Sequence, residues 1–165
     1  FVQGGKSLYV ADWSAPFLEG AFPDAVDFLG DDTDFNQARD GFAAQEIVAD
    51  VLTPELQAVL GRNTATIEFP QDPMNNVINN NWAVAEGVGA GATAQLQGNA
   101  ELCSDSSFPM PPCAEVDGVQ MAAPLLVTYK DPSGGTAVYT SFHNERQSAL
   151  NQDMDKILRF LIFQL

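Results

Sequence analysis

The chain has 165 residues, of which 22 are acidic and 7 are basic, and its net charge at pH 7 is −15. This charge would repel a phosphate backbone or an anionic membrane surface, so no nucleic-acid partner is expected. The length fits one domain over residues 1–165, and the sequence has no apolar run of about 18 residues that could span a membrane. A well-solvated acidic surface accounts for the charge. Affinity for cations, or life in a salty medium, is the functional alternative.

The first half of the chain alternates strand and helix patterns. Gln3-Gly4-Gly5 predicts the last turn of a helix closed by a glycine C-cap, and a buried strand follows it directly. Thr53-Pro54 predicts a helix start, because Thr is a good N-cap and Pro is tolerated at the first helical position. In chain order we predict a strand over 7–13, a helix over 14–22, strands over 25–29 and 45–52, a helix over 54–60 and a strand over 64–69.

The second half is richer in strands. Strands are predicted over 82–85, 93–98 and 122–129, with a polar loop over 70–81 and a loop insertion at about 99–120. A Pro/Gly turn then leads to a strand around Val138 and Tyr139. The last helical pattern predicts burial of Met154, Ile157, Leu158, Leu161 and Leu165. This mixture of elements predicts an α/β fold with a mixed sheet.

The two cysteines, Cys103 and Cys113, bracket a proline-rich stretch that cannot be a helix or a central strand. A disulfide at the base of such a loop would restrict the unfolded chain, so we predict that the two residues are bonded. Such a bond indicates an extracellular or periplasmic location. Two unrelated free thiols are the alternative.

The only histidine, His143, follows the predicted strand around Val138 and Tyr139, and Glu145 comes two residues later. In open α/β sheets, sites are built at the carboxyl ends of strands. His143 and Glu145 are therefore candidates for catalytic chemistry. A hydrogen-bonding residue at the tip of a strand is the structural alternative for His143.

Two short motifs carry a family resemblance. Phe142-His143-Asn144-Glu145, after a glycine turn and before a final helix, resembles the Phe-His-Pro-Glu signature of class I glutamine amidotransferases. Gly4-Gly5 followed by Leu8-Tyr9-Val10 is similar to the glycine pair and strand before the nucleophile elbow of that superfamily, including its trehalose-utilisation-type branch and uncharacterised secreted bacterial members. The resemblance implies a flavodoxin-like, three-layer α/β sandwich.

The resemblance also implies a triad of His143, Glu145 and an elbow cysteine, but here the elbow reads Val10-Ala11-Asp12-Trp13-Ser14. Asp12 stands where the cysteine is expected, and a carboxylate cannot be the thiolate that attacks a carboxamide. Both real cysteines lie in the proline-rich loop. We therefore predict no glutaminase activity, and we expect a non-catalytic binding or assembly module.

An enzyme is the competing hypothesis. Ser14, His143 and Glu145 would make a serine hydrolase set, and a metal-bound water would be another route to hydrolysis. The sequence lacks the Gly-x-Ser-x-Gly pattern of a serine nucleophile elbow. Convergence of Asp12, Ser14, His143 and Glu145 around an open pocket would favour the enzyme.

In the resembled superfamily, strand–helix units precede the glycine-pair strand, and this sequence lacks them. A parallel-sheet strand is normally covered on both faces and paired on both edges. We therefore expect Leu8 and Val10 to be buried, and the missing strand pairing to be supplied by another polypeptide. That partner would be a complementing N-terminal chain or a second copy in a homo-oligomer.

The acidic stretch that begins at Asp31 has the start of a calcium-loop spacing. Gln37 replaces the glycine of the sharp turn, and Ala43 stands where the bidentate Glu is required, so the stretch is not an EF-hand. A looser calcium site remains as a hypothesis, with a plain solvated loop as the alternative, and no other cofactor is predicted. Its ligands would be Asp31, Asp32, Asp34 and Asp40.

Overall fold

A computed structural model describes residues 1–30, 38–42, 45–69, 82–104, 116–143 and 151–164. The helices are α1 (Ala15–Ala21), α2 (Pro54–Leu60) and α3 (Gln152–Gln164), and short 3₁₀ turns cover Val2–Gly4 and Asp12–Ser14. The strands are β1 (Ser7–Ala11), β2 (Val26–Phe28), β3 (Asp40–Gly41), β4 (Gln45–Val51), β5 (Thr64–Phe69), β6 (Trp82–Ala83), β7 (Ala85–Val88), β8 (Ala92–Cys103), β9 (Val116–Lys130) and β10 (Thr136–Thr140).

One mixed sheet organises the molecule. Its order begins β1-β10-β9-β8, and beyond β8 it divides into a β4–β5 branch and a β3–β6 branch. β1 runs parallel to β10, and the other pairs of this sheet are antiparallel. A separate antiparallel ribbon joins β2 to β7. The predicted α/β fold class with a mixed sheet is confirmed.

The two faces of the sheet bury two different apolar clusters. Successive residues of β9 separate them, because Leu126 belongs to one cluster and Val127 to the other. The first cluster is covered by α2 and α3, and the second by α1 and the β2–β7 ribbon. This period-two alternation is the ordinary consequence of strand geometry and gives the predicted three layers.

The glycine pairs attach the amino-terminal turn to the β9–β10 hairpin. Gly5 has φ +77° and its N–H donates to the carbonyl of Val2 at 2.8 Å, which confirms the predicted glycine C-cap. At Gly135, a Cβ would lie 2.0 Å from the same carbonyl oxygen. Only glycine lets the hairpin approach so closely.

The start of α3 closes one edge of the sheet. The N–H of Thr66 in β5 donates to Asp153 Oδ2 at 2.9 Å, and Asn151 Nδ2 donates to the carbonyl of Thr66 at 3.4 Å. Arg62 forms an ion pair with the same Asp153 carboxylate. Side chains of α3 and its N-terminal flank thus satisfy backbone groups that an edge strand otherwise leaves open.

The predicted burial of Val10 is confirmed, since it is 3% exposed and packs in the cluster that includes Ala15 and Leu18 of α1. Two other expectations need correction. The predicted insertion at 99–120 is partly strand, since β8 continues to Cys103 and β9 begins at Val116. Leu158 is only half-buried, whereas Phe160, which was not predicted as core, is buried. The buried stripe of α3 therefore runs through Met154, Ile157 and Leu161, with Phe160 rather than Leu158 beside it.

Val10 and Leu8 differ in how deeply they are buried. Leu8 is half-buried and packs against the same cluster as Val10.

Within the described ranges, no helix has the length and apolar character needed to cross a bilayer.

Candidate functional site

The chain makes a sharp strand–turn–helix elbow at Asp12. β1 ends at Ala11, and Asp12 takes φ +48° before the 3₁₀ turn leads into α1. Left-handed backbone at a residue other than glycine costs about 1 kcal/mol or more and concentrates at functional sites. The strain lies at the position where the resemblance places a nucleophile.

Parallel pairing brings His143 to the same edge of the sheet. Ala11 pairs with Thr140, so β1 and β10 end side by side. His143 follows three residues later, and its Nδ1 lies 3.7 Å from Asp12 Oδ2. The imidazole is 45% exposed, whereas the Asp12 side chain is 7% exposed. The structure therefore brings together two of the predicted site residues, a buried carboxyl and a half-exposed imidazole.

Hydrogen bonds within the β-sheet hold the segment that carries His143. Thr140 Oγ1 donates to the carbonyl of Phe142 at 2.8 Å, and the Tyr9 hydroxyl lies 2.9 Å from Thr140 Oγ1. The N–H of Ser141 donates to the carbonyl of Leu125 at 3.0 Å, and Phe142 is 1% exposed. The half-exposed imidazole thus emerges from an anchored backbone.

The Asp12 carboxyl is bonded inward. Its Oδ1 accepts a hydrogen bond from the N–H of Ala83 at 3.1 Å, and the N–H of Trp13 also hydrogen-bonds to this carboxyl. Burial is the largest influence on the group and raises its pKa from 3.8 to about 8, with a further contribution from Asp40, while the two backbone bonds oppose the change. Asp12 is therefore mostly protonated at pH 7.

Asp40 is a second buried carboxyl beside this site. It lies in β3, where it pairs with Ala83, and it is 2% exposed. The sequence placed Asp40 at the end of an acidic loop, as a hypothetical calcium ligand, so its burial in β3 beside Asp12 is a correction. A polar residue within a two-residue strand carries no periodic signal from which its burial could have been predicted.

Tyr139 closes the inner side of the site. Its hydroxyl donates to the carbonyl of Ala83 at 2.9 Å, and the residue is completely buried. Burial first, and then the proximity of Asp12, hold the pKa of this phenol well above its usual value. Both backbone polar groups of Ala83 are thus hydrogen-bonded, its N–H to Asp12 and its carbonyl to Tyr139.

The remaining predicted site residues do not join this pair within the described part of the chain. Ser14 is half-buried at the end of the elbow turn, and no hydrogen bond connects it to His143 among the described residues. Glu145, Asp31, Asp32 and Asp34 lie outside the described residues. In the part of the chain that is described, no group of three or more His, Cys, Asp or Glu side chains is placed to hold a metal ion.

Cys103 ends β8 and is completely buried. Its predicted partner, Cys113, lies outside the described residues, so the bridge stays a prediction. Arg39 donates to the carbonyl of Cys103 at 3.0 Å and forms an ion pair with Asp117 of β9. Cys103 is thus fixed where the two long strands separate.

A polar concavity of about 270 Å³ lies elsewhere, among α2, β5 and α3. Its two cationic side chains are engaged, since Arg62 pairs with Asp153 and Lys156 Nζ donates to the carbonyl of Leu60 at 3.2 Å. This concavity is distinct from the elbow and brings no predicted site residue together.

In comparisons with known proteins, no family model, no curated protein and no solved structure matches the chain.

Proposed function

We propose that this protein is a secreted, non-catalytic binding or assembly module of amidotransferase-like construction. The observation that carries the proposal is the Asp12 carboxyl, which occupies the elbow and accepts hydrogen bonds from the backbone N–H groups around it. In hydrolases with such an elbow, the N–H of the residue after the nucleophile helps to bind the oxyanion. Here the N–H of Trp13 is engaged by Asp12 itself.

The same arrangement argues against covalent catalysis. A protonated carboxyl is a poor nucleophile, and burial keeps Asp12 protonated at neutral pH. A substrate carbonyl would have to displace the carboxyl from its own donors before it could be polarised. The elbow therefore carries a protonated carboxyl instead of a thiolate, and one candidate oxyanion donor, the N–H of Trp13, is bonded to that carboxyl.

Exposed apolar side chains support the assembly part of the proposal. Phe17 on α1 is 76% exposed, and Ile162 and Phe163 at the end of α3 are 63% and 87% exposed. Single exposed apolar residues are common, but adjacent large ones are typical of contact surfaces. A second copy, or a complementing polypeptide, is the proposed partner. An extracellular or periplasmic location is part of the proposal, and the predicted disulfide supports it.

One observation favours hydrolysis as a second candidate. His143 is half-exposed and has a buried carboxyl at its Nδ1, which is the arrangement of an imidazole positioned as a general base. The enzyme would need an ionised Asp12, so any such activity should rise with pH toward and above about 8. Ser14 and Glu145 are the remaining candidates for the other roles.

Hydrolysis assays separate the two candidates. Amide, glutamine and activated-ester substrates should be hydrolysed no faster by the wild-type protein than by the variant His143→Ala, at any pH from 6 to 9. A wild-type rate that rises with pH and is lost in His143→Ala would overturn the non-catalytic assignment. The variant also serves as the control for contaminating hydrolases, because it is purified in the same way.

Sedimentation tests the self-assembly part. We expect the mass of the wild-type protein to increase with concentration, and the variant Phe163→Ser to weaken this association. Val119→Ser is the matched control, because Val119 is also an exposed apolar residue, at 51%, but lies on β9. A wild-type protein that stays monomeric at every concentration would refute self-assembly.

A further inference from the structure

The two oxygens of the Asp12 carboxyl have different partners. Oδ1 accepts the N–H of Ala83, whereas Oδ2 faces Nδ1 of His143 at 3.7 Å. An oxygen that accepts a backbone N–H cannot also place a proton along that direction. Oδ2 is the oxygen that faces Nδ1, so a carboxyl proton carried on Oδ2 can point at the imidazole.

The surroundings keep that proton in place. Asp12 and Asp40 are 5% and 2% exposed, and two buried carboxyls close to one another resist simultaneous ionisation. Tyr139, from β10, faces the site as a neutral phenol and donates to Ala83. Among the described neighbours, the ionisable groups facing Asp12 are thus Asp40 from β3, Tyr139 from β10 and His143 beyond β10.

We propose that Asp12 and His143 form a pH-switched hydrogen-bonding pair, in which the protonated Asp12 donates from Oδ2 to Nδ1 of a neutral His143 and thereby leaves the proton of the imidazole on its other nitrogen, Nε2. The 3.7 Å separation is longer than a hydrogen bond, so the proposed bond requires the two atoms to move closer together than the structure places them. Ionisation of Asp12 releases one proton to solvent. The imidazole proton then moves, by exchange with water, from Nε2 to Nδ1, where it is donated back to the carboxylate.

The switch changes what the half-exposed imidazole offers to a ligand. In the first state Nε2 carries a proton and binds an acceptor, such as a carbonyl or carboxylate oxygen. In the second state Nε2 has a free lone pair and accepts a proton instead. Only the binding of a ligand by Nε2 rests on the proposed function. The position of the imidazole proton can be measured without any ligand.

Nitrogen NMR of the imidazole tests the pair directly. The chain has one histidine, so every imidazole signal belongs to His143. At pH 7 we expect the neutral ring to carry its proton on Nε2. Neutral imidazole already favours that tautomer in water, so the deciding observation is the reversal to an Nδ1 proton as the pH rises through about 8. A ring that keeps its proton on Nε2 at pH 9.5 would overturn the proposal, as would an Nδ1 proton at pH 7.

Two variants distinguish the pair from a solvent effect. Asp12→Ala should abolish the reversal, and backbone amide spectra will show whether the variant is folded. If it is not, Asp40→Asn gives the same information, because removal of this neighbouring charge should move the reversal to lower pH. An unchanged midpoint in Asp40→Asn, or a persistent reversal in folded Asp12→Ala, would contradict the inference. Neither result depends on hydrolysis or assembly, so failure here is distinguishable from failure of the proposed function.

Discussion

The variant Asp12→Asn should change how the stability of this protein depends on pH. Asn has nearly the size of Asp, so the core around the elbow keeps its packing. Its Oδ1 can still accept the N–H of Ala83, and its amide can still donate to His143. The substitution therefore removes one titrating group and leaves most contacts in place.

The magnitude follows from the pKa of Asp12, which rises from 3.8 to about 8 on folding. Below about pH 4 the carboxyl is protonated in both states and makes no difference. As the pH rises from about 4 to about 8, the unfolded chain loses the proton and the folded protein keeps it. The free energy of unfolding therefore falls by about 1.4 kcal/mol per pH unit, to a total of about 6 kcal/mol above pH 8. This is a large share of the stability of a typical domain.

Urea denaturation at pH 5, 6, 7 and 8 measures the effect, with tryptophan fluorescence as the signal. Trp82 is buried and stacked on Phe69, with ring centroids 4.5 Å apart, so unfolding should change its emission. The advantage of Asp12→Asn over wild type should grow by about 1.4 kcal/mol per pH unit. Asp117 and Asp131, whose pKa values are lowered, lose their stabilising effect only below about pH 4 and do not interfere.

Asp27→Asn is the matched control, because Asp27 is exposed on β2. Its stability difference from wild type should stay constant over the same range. Parallel pH profiles for wild type and Asp12→Asn would refute the reasoning, because they would show that burial does not hold the proton on Asp12.

The other predictions use different parts of the molecule. Asp153→Ala should lower the free energy of unfolding by about 2–3 kcal/mol, because it leaves the N–H of Thr66 and Arg62 without their acceptor; Arg159→Ala, at an exposed ion pair, should cost about 0.5 kcal/mol or less by the same denaturation assay. Gly135→Ala should destabilise by about 1–3 kcal/mol, since its Cβ would meet the carbonyl of Val2, whereas Gly4→Ala enters open space and should not. Peptide mapping without reductant should recover Cys103 and Cys113 in one linked fragment; recovery of both as free thiols would end that prediction and weaken the case for secretion. Calorimetry with calcium should show at most weak binding by the acidic stretch from Asp31. A site of roughly micromolar affinity would contradict this prediction.

Local signals predicted most of the element positions. The helix start at Thr53-Pro54 and the strand at Thr64–Phe69 both lie where their capping residues and alternation placed them. These two features are determined by neighbouring residues, which is why a single sequence is enough to predict them. The turn at Asp12 differs from the prediction, because β1 ends at Ala11 and the predicted strand ran on to residue 13.

The long strands were predicted less well. The first part of β9 is largely exposed and has no apolar alternation, so its residues gave no strand signal. It is a strand because it pairs with β8 over a long register. Pairing partners that lie far apart in the chain leave no local mark on a strand that has no buried face.

The sequence by itself determined the α/β class, the glycine turn at the amino end and the presence of a carboxyl instead of a cysteine at Asp12. Only the tertiary structure determined the protonation state and the hydrogen-bond partners of Asp12. β3 and β6 place Asp40 and the N–H of Ala83 against it, and parallel pairing of β1 with β10 places His143 beside it. Whether a carboxyl is a nucleophile, an acid or an internal bond depends on its burial and on the charges around it, and both are properties of the folded neighbourhood.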